Sequence, residues 1–220
     1  MKFRDRREAG ERLTEALAPF RDDHPAIVGL LSGGLVVAAE VAREMDAPLD
    51  IAVARALTAS ARHDVVIGAA APGGIRVVDE VMVRALRPGD DLDTLAQRAS
   101  EEAEQEERRL RGDRPAVELE GRTAILVAEG VIDGLVARAA LGELRLRQPR
   151  RLLFAVPVAK AAVVDAFDQE ADDVVILEVV PGITSLSVWY EDFSDVSDEV
   201  AHQILVDHRT NGGLPSQPTA

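Results

Sequence analysis

The chain of 220 residues contains no cysteine. Structural disulfides, thiolate catalysis and cysteine-ligated metal sites are therefore excluded. Aromatic residues are also scarce, at 3% of the sequence, although hydrophobic residues as a class reach 47%. Because Ala, Val and Leu dominate that class, the composition favours helices packed on a sheet rich in Val and Ile.

Positive charge is in deficit, since 25 Lys and Arg residues stand against 39 Asp and Glu residues, for a formal net charge of −14. A surface of this charge would not attract the phosphate backbone of a nucleic acid or the headgroups of an anionic membrane. We therefore expect neither nucleic acid nor a membrane as a partner.

Long apolar segments are missing as well. No apolar run approaches the roughly 18 residues of a membrane span, and the charged segment 1–7 lacks the apolar stretch of a secretory signal. We therefore expect a cytoplasmic protein. Residues 1–208 are predicted to form one domain, and the Gly-, Pro- and Ser-containing residues 209–220 a disordered tail.

What the sequence does contain is an alternation of short apolar runs with segments of helical spacing. The predicted strands are 26–31, 49–53, 65–71, 75–78, 124–127, 151–156 and 174–177, with 186–189 as a candidate last strand. The predicted helices are 7–20, 35–45, 79–86, 92–111, 134–146, 160–170 and 195–207, and 58–64 is predicted to be a polar loop. The alternation indicates an α/β domain with a central, mainly parallel sheet, whose ligands bind at the carboxyl ends of the strands.

The predicted helix 92–111 is long and has few large apolar residues. Its second half is rich in Glu and Arg, with Glu104–Arg108 and Glu107–Arg111 at i,i+4 spacing. Two interpretations remain open, a solvated helix that projects from the body and a dimer arm.

The segment Ala124–Ala140 is the most informative part of the chain. An apolar run ends at Val127, and Glu129, Gly130 and Gly134 then lead into a helical pattern. A strand, an acidic glycine-bearing turn and a helix form an anion cradle, because the first N–H groups of a helix are unpaired and its dipole is positive there.

This segment resembles the phosphoribosyl-diphosphate (PRPP) loop of type I phosphoribosyltransferases. The opening residues 3–10, FRDRREAG, and the closing WYEDF of 189–193 resemble a bacterial phosphoribosyltransferase-like subgroup. The resemblance covers roughly residues 3–201. It implies the type I phosphoribosyltransferase-like fold, with a small hood formed by chain-terminal segments, and transfer of phosphoribose from PRPP to a nitrogen base with Mg²⁺.

The resemblance also assigns site residues. It gives Glu129 the catalytic position, where the family's acids bind the ribose hydroxyls, and it gives the loop backbone to the phosphate. The loop residues so assigned are Glu129, Gly130, Val131, Ile132, Asp133 and Gly134. The diphosphate would be bound by Ser32, Gly33, Gly34 and Arg55.

The chain departs from the family at the groups that would bind the ligand. The Arg of the diphosphate loop is Ser32, one of the two ribose-binding acids is Ala128, and the Thr that meets the 5′-phosphate is Asp133. A carboxylate at a phosphate position adds repulsion between like charges, whereas Asp suits a helix N-terminus. We therefore predict that Asp133 caps the helix that begins near Gly134, and that the site is degenerate.

Two of these residues have a second interpretation. Ser32 could be a hydrolase nucleophile, but the nucleophile elbow needs Gly at position 30, which is Leu, and a turn or helix-cap Ser is favoured. Arg55 could bind an anion or form a structural ion pair.

Three hypotheses on function follow. The first is a non-catalytic descendant that binds a nucleotide-like small molecule or a protein partner, with a homodimer as one form. The second is an active, Mg²⁺-dependent phosphoribosyltransferase. The third is other chemistry, such as hydrolysis using Glu129 and Asp133, for which no third metal ligand is visible; no metal site is predicted.

Overall fold

The computed structural model describes residues 2–59, 62–86 and 91–211. Its strands are β1 (Ala26–Leu30), β2 (Leu49–Ala52), β3 (Arg55–Ala59), β4 (Arg62–Ala71), β5 (Ile75–Val78), β6 (Thr123–Val127), β7 (Arg151–Lys160) and β8 (Asp173–Val180). Its helices are α1 (Arg6–Leu17), α2 (Gly33–Met45), α3 (Glu80–Leu86), α4 (Leu92–Arg111), α5 (Leu135–Leu146) and α6 (Asp198–Asn211).

Five strands form a parallel sheet in the order β2-β1-β6-β7-β8. The central strands β1 and β6 are buried along their whole length, as expected of parallel strands covered on both faces. One face packs against α1, α2 and α6, and the other packs against α5 and the short 3₁₀ helix at 161–167. The prediction of an α/β fold with a mainly parallel central sheet is confirmed.

A small hood accompanies the central sheet, as predicted, but other segments form it. It is the antiparallel sheet β3-β4-β5, which comes from the middle of the chain and not from the chain-terminal segments. Its β4–β5 pair is the hairpin that the turn at 71–74 predicts. Leu135 and Ala139 of α5 pack against Ala69 and Ala71 of β4, so the helix that follows the predicted PRPP loop also supports the hood.

Several predicted elements are wrong. The predicted polar loop at 58–64 includes the end of β3 and the start of β4, while residues 60 and 61 lie outside the described residues. Half-exposed antiparallel strands tolerate polar side chains, and the polarity of this stretch is therefore not a loop signal. The candidate strand at 186–189 and the predicted helix at 160–170 are 3₁₀ turns, the second over residues 161–167.

Helix α4 neither projects into solvent nor forms an arm. Ala96 and Ala99 pack on the hood, while Ala103 and Leu110 belong to the main core. The i,i+4 pairs Glu104–Arg108 and Glu107–Arg111 are both present.

The second half of α4 covers the free edge of β2. The Glu107 carboxylate accepts a hydrogen bond from Val53 N at 2.9 Å, and Arg111 Nη2 donates to Ile51 O at 2.8 Å. The Arg114 guanidinium donates to Leu49 O at 3.2 Å. Charged side chains thus satisfy the backbone groups that a further strand would have paired, and they blunt this edge against intermolecular pairing.

Asp50 lies at the centre of this edge, and its side chain is only 3% exposed. It accepts hydrogen bonds from Arg111 Nε at 2.8 Å, Arg147 Nη2 at 3.0 Å and Val117 N at 3.1 Å. Burial by itself would raise the pKa of Asp50, but the two guanidinium groups outweigh it and hold that pKa below its usual range. We call Asp50, Glu107, Arg111 and Arg147 the edge network.

The two chain-terminal segments meet each other. Phe3 N donates to Trp189 O at 2.8 Å, and Glu191 N donates to Phe3 O at 2.9 Å. The Phe3 and Tyr190 rings lie 5.4 Å apart. The predicted domain boundary at residue 208 falls inside α6, and residues 212–220 of the predicted tail lie outside the described residues. In the part of the chain that is described, no helix has the length and apolar character to cross a membrane.

Candidate functional site

A pocket of 230 Å³ lies at the carboxyl ends of β1 and β6. It brings together Leu31 and Gly34 of the predicted diphosphate loop with the whole of the predicted PRPP loop, from Ala128 to Gly134. Its remaining lining is apolar and includes Val136 and Leu186. The location agrees with the rule that ligands of parallel sheets bind beyond the carboxyl ends of the strands.

The PRPP loop crosses the pocket and ends at α5. Gly134 has a φ of 78°, a left-handed conformation that favours glycine. Leu135 N donates to Asp133 Oδ1 at 3.0 Å, so Asp133 binds the first N–H group of α5 from just ahead of the helix. The N-cap residue itself is Gly134, which makes no side-chain capping bond, so Asp133 is not the N-cap that the sequence predicts. The N–H groups of Ile132, Asp133 and Gly134 have no hydrogen-bond acceptor among the described residues. The loop backbone therefore keeps donors that could bind an anion.

Glu129 does not stand free in the pocket, because its carboxylate forms an ion pair with Arg6 of α1, with 2.5 Å between Nε and Oε2. The pair lies directly on Gly33 of the diphosphate loop. A Cβ atom at that position would be 1.8 Å from Glu129 Oε2 and 2.6 Å from Arg6 Nε. With a larger residue at position 33, the pair would have to shift from this position.

Comparisons with known proteins agree with this geometry. TT1426 from Thermus thermophilus, a solved structure, is 36% identical over 94% of this chain and 99% of that one, with a TM-score of 0.78. Two Mycobacterium tuberculosis proteins named "Putative phosphoribosyl transferase", Rv0571c and MT0597, are 33% identical over 202 residues. Those residues are 90% of this chain but 45% of each relative, so the chain spans less than half the length of these curated relatives. No family model matches the chain.

The chain belongs to the type I phosphoribosyltransferase-like family. Its central sheet and the pocket at the carboxyl ends of β1 and β6 are arranged as the resemblance implied, whereas the hood is built from the middle of the chain.

Ser32 and Arg55 of the predicted diphosphate site do not line the pocket. Ser32 immediately precedes α2, as a turn or cap residue would, but its side chain makes no capping hydrogen bond, and the Leu31–Ser32 peptide bond is cis. The Arg55 guanidinium pairs with the Glu106 carboxylate of α4, the kind of contact that the structural alternative predicts. Of these two predicted diphosphate-site residues, Ser32 carries no charge and Arg55 is paired with an acid of α4.

Arg6 is the site residue that sequence reasoning missed. Its Nη1 donates to Ser194 O at 2.8 Å, and its guanidinium lies 4.1 Å from the centroid of the Phe193 ring. The sequence does carry a signal, because Arg6 lies in the FRDRREAG segment and Phe193 in the WYEDF segment, the two segments that resemble the bacterial subgroup. The sequence does not show that these two segments meet at Glu129 in the folded chain.

Tyr190 holds the backbone of Glu129, whereas Arg6 holds its side chain. Its hydroxyl donates to the Glu129 backbone oxygen at 2.5 Å, and its ring packs between Phe3 and Phe193. Burial, reinforced by the Glu129 charge, raises the pKa of Tyr190. The hydroxyl therefore remains a donor at neutral pH, and the loop backbone at Glu129 is held in place.

The residues present do not fit a protein-bound magnesium ion. No group of three or more His, Cys, Asp or Glu side chains that could bind a metal occurs among the described residues. Glu129 is already paired with Arg6, and Asp133 is engaged at the start of α5. The described pocket lining contains two carboxylates and neither Lys nor Arg. Its side chains can therefore accept hydrogen bonds from hydroxyl groups, but they repel a polyphosphate.

Proposed function

We propose that this chain is a phosphoribosyltransferase-like protein that no longer binds or uses PRPP, and that its cleft accepts a ligand of altered specificity. The observation that supports this proposal most directly is the position of Asp133. Its carboxylate accepts the Leu135 N–H at the start of α5, where the family places a phosphate-binding Thr.

The energetic cost of that carboxylate to a phosphate is substantial. Two like charges 4 Å apart repel by about 1 kcal/mol in water, and by about 4 kcal/mol at the effective dielectric of a protein surface. Asp133 is exposed, so solvent and salt moderate the repulsion. A repulsion midway between these two energies still lowers the affinity for phosphate by more than about tenfold.

The diphosphate half of the site supports the same conclusion. Arg55 is engaged by Glu106, and Ser32 offers no charge. The space over Gly33 is filled by the Glu129 carboxylate. A diphosphate would have to displace that carboxylate and would meet a single guanidinium, that of Arg6.

One observation favours the second hypothesis, an active Mg²⁺-dependent phosphoribosyltransferase. The loop backbone still presents unpaired N–H groups at 132–134, the shape that binds a phosphate in this family. The Mycobacterium tuberculosis relatives are named for this activity, but they are more than twice as long as the matched region, and their whole activity is not transferred to this chain.

The third hypothesis, hydrolysis by Glu129 and Asp133, has less support. Both carboxylates are already engaged, Glu129 with the Arg6 guanidinium and Asp133 with the Leu135 N–H group, so neither stands free to activate a water molecule. Homodimer formation, a protein partner and a cytoplasmic location remain predictions.

The test is calorimetric titration of PRPP with Mg²⁺ into the purified chain at moderate salt. We expect no heat up to millimolar PRPP. Micromolar binding, equivalent to about −8 kcal/mol, would overturn the proposal and make a screen of nitrogen bases for transfer the next step.

Two variants of Asp133 show why binding fails. Asp133→Asn keeps an acceptor for Leu135 N and removes the charge, whereas Asp133→Thr introduces the family residue. If the carboxylate is the obstacle, both variants gain PRPP affinity. If neither variant gains affinity, the loss lies in the diphosphate half, and Ser32→Arg in the Asp133→Thr background tests that half.

A further inference from the structure

Arg6 is a buried cation whose position does not depend on Glu129 alone. Its side chain is 10% exposed and is held by Ser194 O on one nitrogen and by the Phe193 ring on one face. These contacts come from the C-terminal segment and would persist if Glu129 moved away. Arg6 is therefore a preformed cation at the edge of the pocket.

The Glu129 carboxylate occupies the space that an external anion would need. It lies on the backbone of Gly33 and pairs with Arg6 Nε. A planar guanidinium beside an open glycine backbone is a general arrangement for binding carboxylate or phosphate. The chain thus places one of its own carboxylates on its own anion site.

Glu129 is able to leave that position. Its side chain is 23% exposed and lines the pocket, whereas its backbone oxygen is held by the Tyr190 hydroxyl. Only the side chain has to rotate, and the loop does not have to move. Arg6 would then be free to pair with a ligand.

We propose that Arg6 is the anion-binding residue of this cleft and that Glu129 fills the anion position until the phosphate or carboxylate of a ligand displaces it. This inference rests on the proposed function, since it names the ligand class of the same cleft. The exchange replaces one ion pair by another, so affinity for the anion alone is modest.

The geometry also limits the ligand to one anionic group. Arg6 is the cation beside the cleft once Glu129 has moved, whereas the cleft lining also carries the Asp133 carboxylate. A pocket of 230 Å³ is smaller than the roughly 300–1,000 Å³ of drug-sized sites, and its two acids suit hydroxyl groups. The ligand class is a single-ring, hydroxylated molecule with one phosphate or carboxylate, such as a pentose monophosphate.

The test is calorimetric titration of ribose 5-phosphate, ribose and inorganic phosphate into the wild-type chain and its variants. Glu129→Gln removes the internal competitor and should bind both phosphate probes about tenfold more tightly than the wild type, because charged hydrogen bonds of this kind are worth a factor of about ten or more. Arg6→Gln should lose phosphate binding. Ribose, which has no anion, should be insensitive to Arg6→Gln.

Two further variants test whether impaired folding or a change in net charge explains a loss of phosphate binding. Arg6→Gln alone leaves a partly buried Glu129 unpaired and can impair folding, so Arg6→Gln/Glu129→Gln, which replaces the ion pair with two neutral side chains, is measured beside it and should also fail to bind phosphate. Arg7→Gln changes the net charge equally at an exposed neighbouring position and should bind as the wild type does. Thermal denaturation of each variant reports folding.

Three results would overturn the inference. They are weaker or unchanged phosphate binding in Glu129→Gln, retained binding in the double variant, and no phosphate binding to any folded variant at tens of millimolar. None of these results concerns PRPP. Micromolar binding of PRPP to the wild-type chain would instead overturn the proposed function, so the two failures can be told apart.

Discussion

The edge network and the Arg6–Glu129 pair both join Arg to carboxylates across long sequence distances, but their surroundings differ. Asp50 is almost fully buried and receives two guanidinium groups and a backbone N–H. Glu129 has a single cationic partner, lies beside an open pocket and remains 23% exposed.

Because of this difference in burial, Glu129 can exchange its partner and the charges of the edge network cannot. Removing a member of the edge network takes a charged partner from groups that are largely buried, so that cluster is fixed for as long as the chain is folded. Glu129 can rotate into the pocket and exchange its interaction with Arg6 for one with water or a ligand. Similar residues therefore stabilise the fold along the β2 edge of the sheet and form an exchangeable site beyond the carboxyl end of β6.

The largest expected effect is at the centre of the edge network. Asp50→Asn should lower the free energy of unfolding by about 3–5 kcal/mol, because two largely buried guanidinium groups lose a charged partner. Urea unfolding measures this. Because the pKa of Asp50 is lowered in the folded state, its contribution is present above the ordinary value of 3.8 and should be lost only as the pH falls through the lowered value.

The control for Asp50→Asn is Glu104→Gln, which breaks the exposed pair with Arg108. It should cost less than about 0.5 kcal/mol. Equal costs for the two variants would remove the distinction between a buried network and a surface pair.

A second variant tests the close approach at the cleft. Gly33→Ala introduces a Cβ into the Glu129 carboxylate and should cost about 1–3 kcal/mol, since the ion pair has to move. Gly182→Ala is the matched control, because a Cβ there meets no atom within 4 Å. If chemical denaturation finds both variants as stable as the wild type, the Glu129–Arg6 pair does not lie on Gly33.

A third variant tests the surroundings of the edge network through pH. Burial, with a contribution from the Glu107 charge, raises the pKa of Glu143 from 4.5 to about 7. Between these values the folded chain binds more protons than the unfolded chain, so this group lowers stability as the pH rises. Glu143→Gln should therefore add about 1–2 kcal/mol at pH ~8 and little at pH ~4. A stability difference that does not vary with pH would contradict the raised pKa.

The smallest expected effect is at the fixed side of the exchangeable site. Tyr190→Phe removes the hydroxyl that binds the Glu129 backbone oxygen and should cost about 1 kcal/mol in urea unfolding. Arg6 keeps its contacts with Ser194 and Phe193, so phosphate affinity should change little. A loss of phosphate binding as large as that of Arg6→Gln would show that the loop, and not only the Glu129 side chain, has to hold its position.

The sequence was sufficient for the elements that local pattern determines. Apolar runs gave β1, β6 and β7, and the Asp133–Gly134 pair correctly marked the start of α5. The resemblance of the loops and terminal segments gave the fold family. These features depend on residues close together in the chain or on motifs that can be read directly.

The sequence was not sufficient where distant charges meet. The Glu-rich half of α4 has the sequence of a solvated helix. Its Glu106 and Glu107 carboxylates nevertheless bind Arg55 and the backbone of Val53, which lie more than fifty positions away. The Arg6–Glu129 pair spans 123 positions. An ion pair across such a separation leaves no periodic signal, and the positions of these side chains depend on the tertiary fold.

The pairing of Phe3 with Tyr190 has a consequence for the order of events during synthesis. Residues 26–160 contain the strands β1, β2, β6 and β7, which can assemble while the ribosome is still translating the rest. Arg6 emerges before all of them, yet its partners Phe193 and Ser194 emerge near the end. The first residues of the domain therefore wait for almost the last, and the Arg6 side of the cleft cannot be completed before residue 194 has been synthesised.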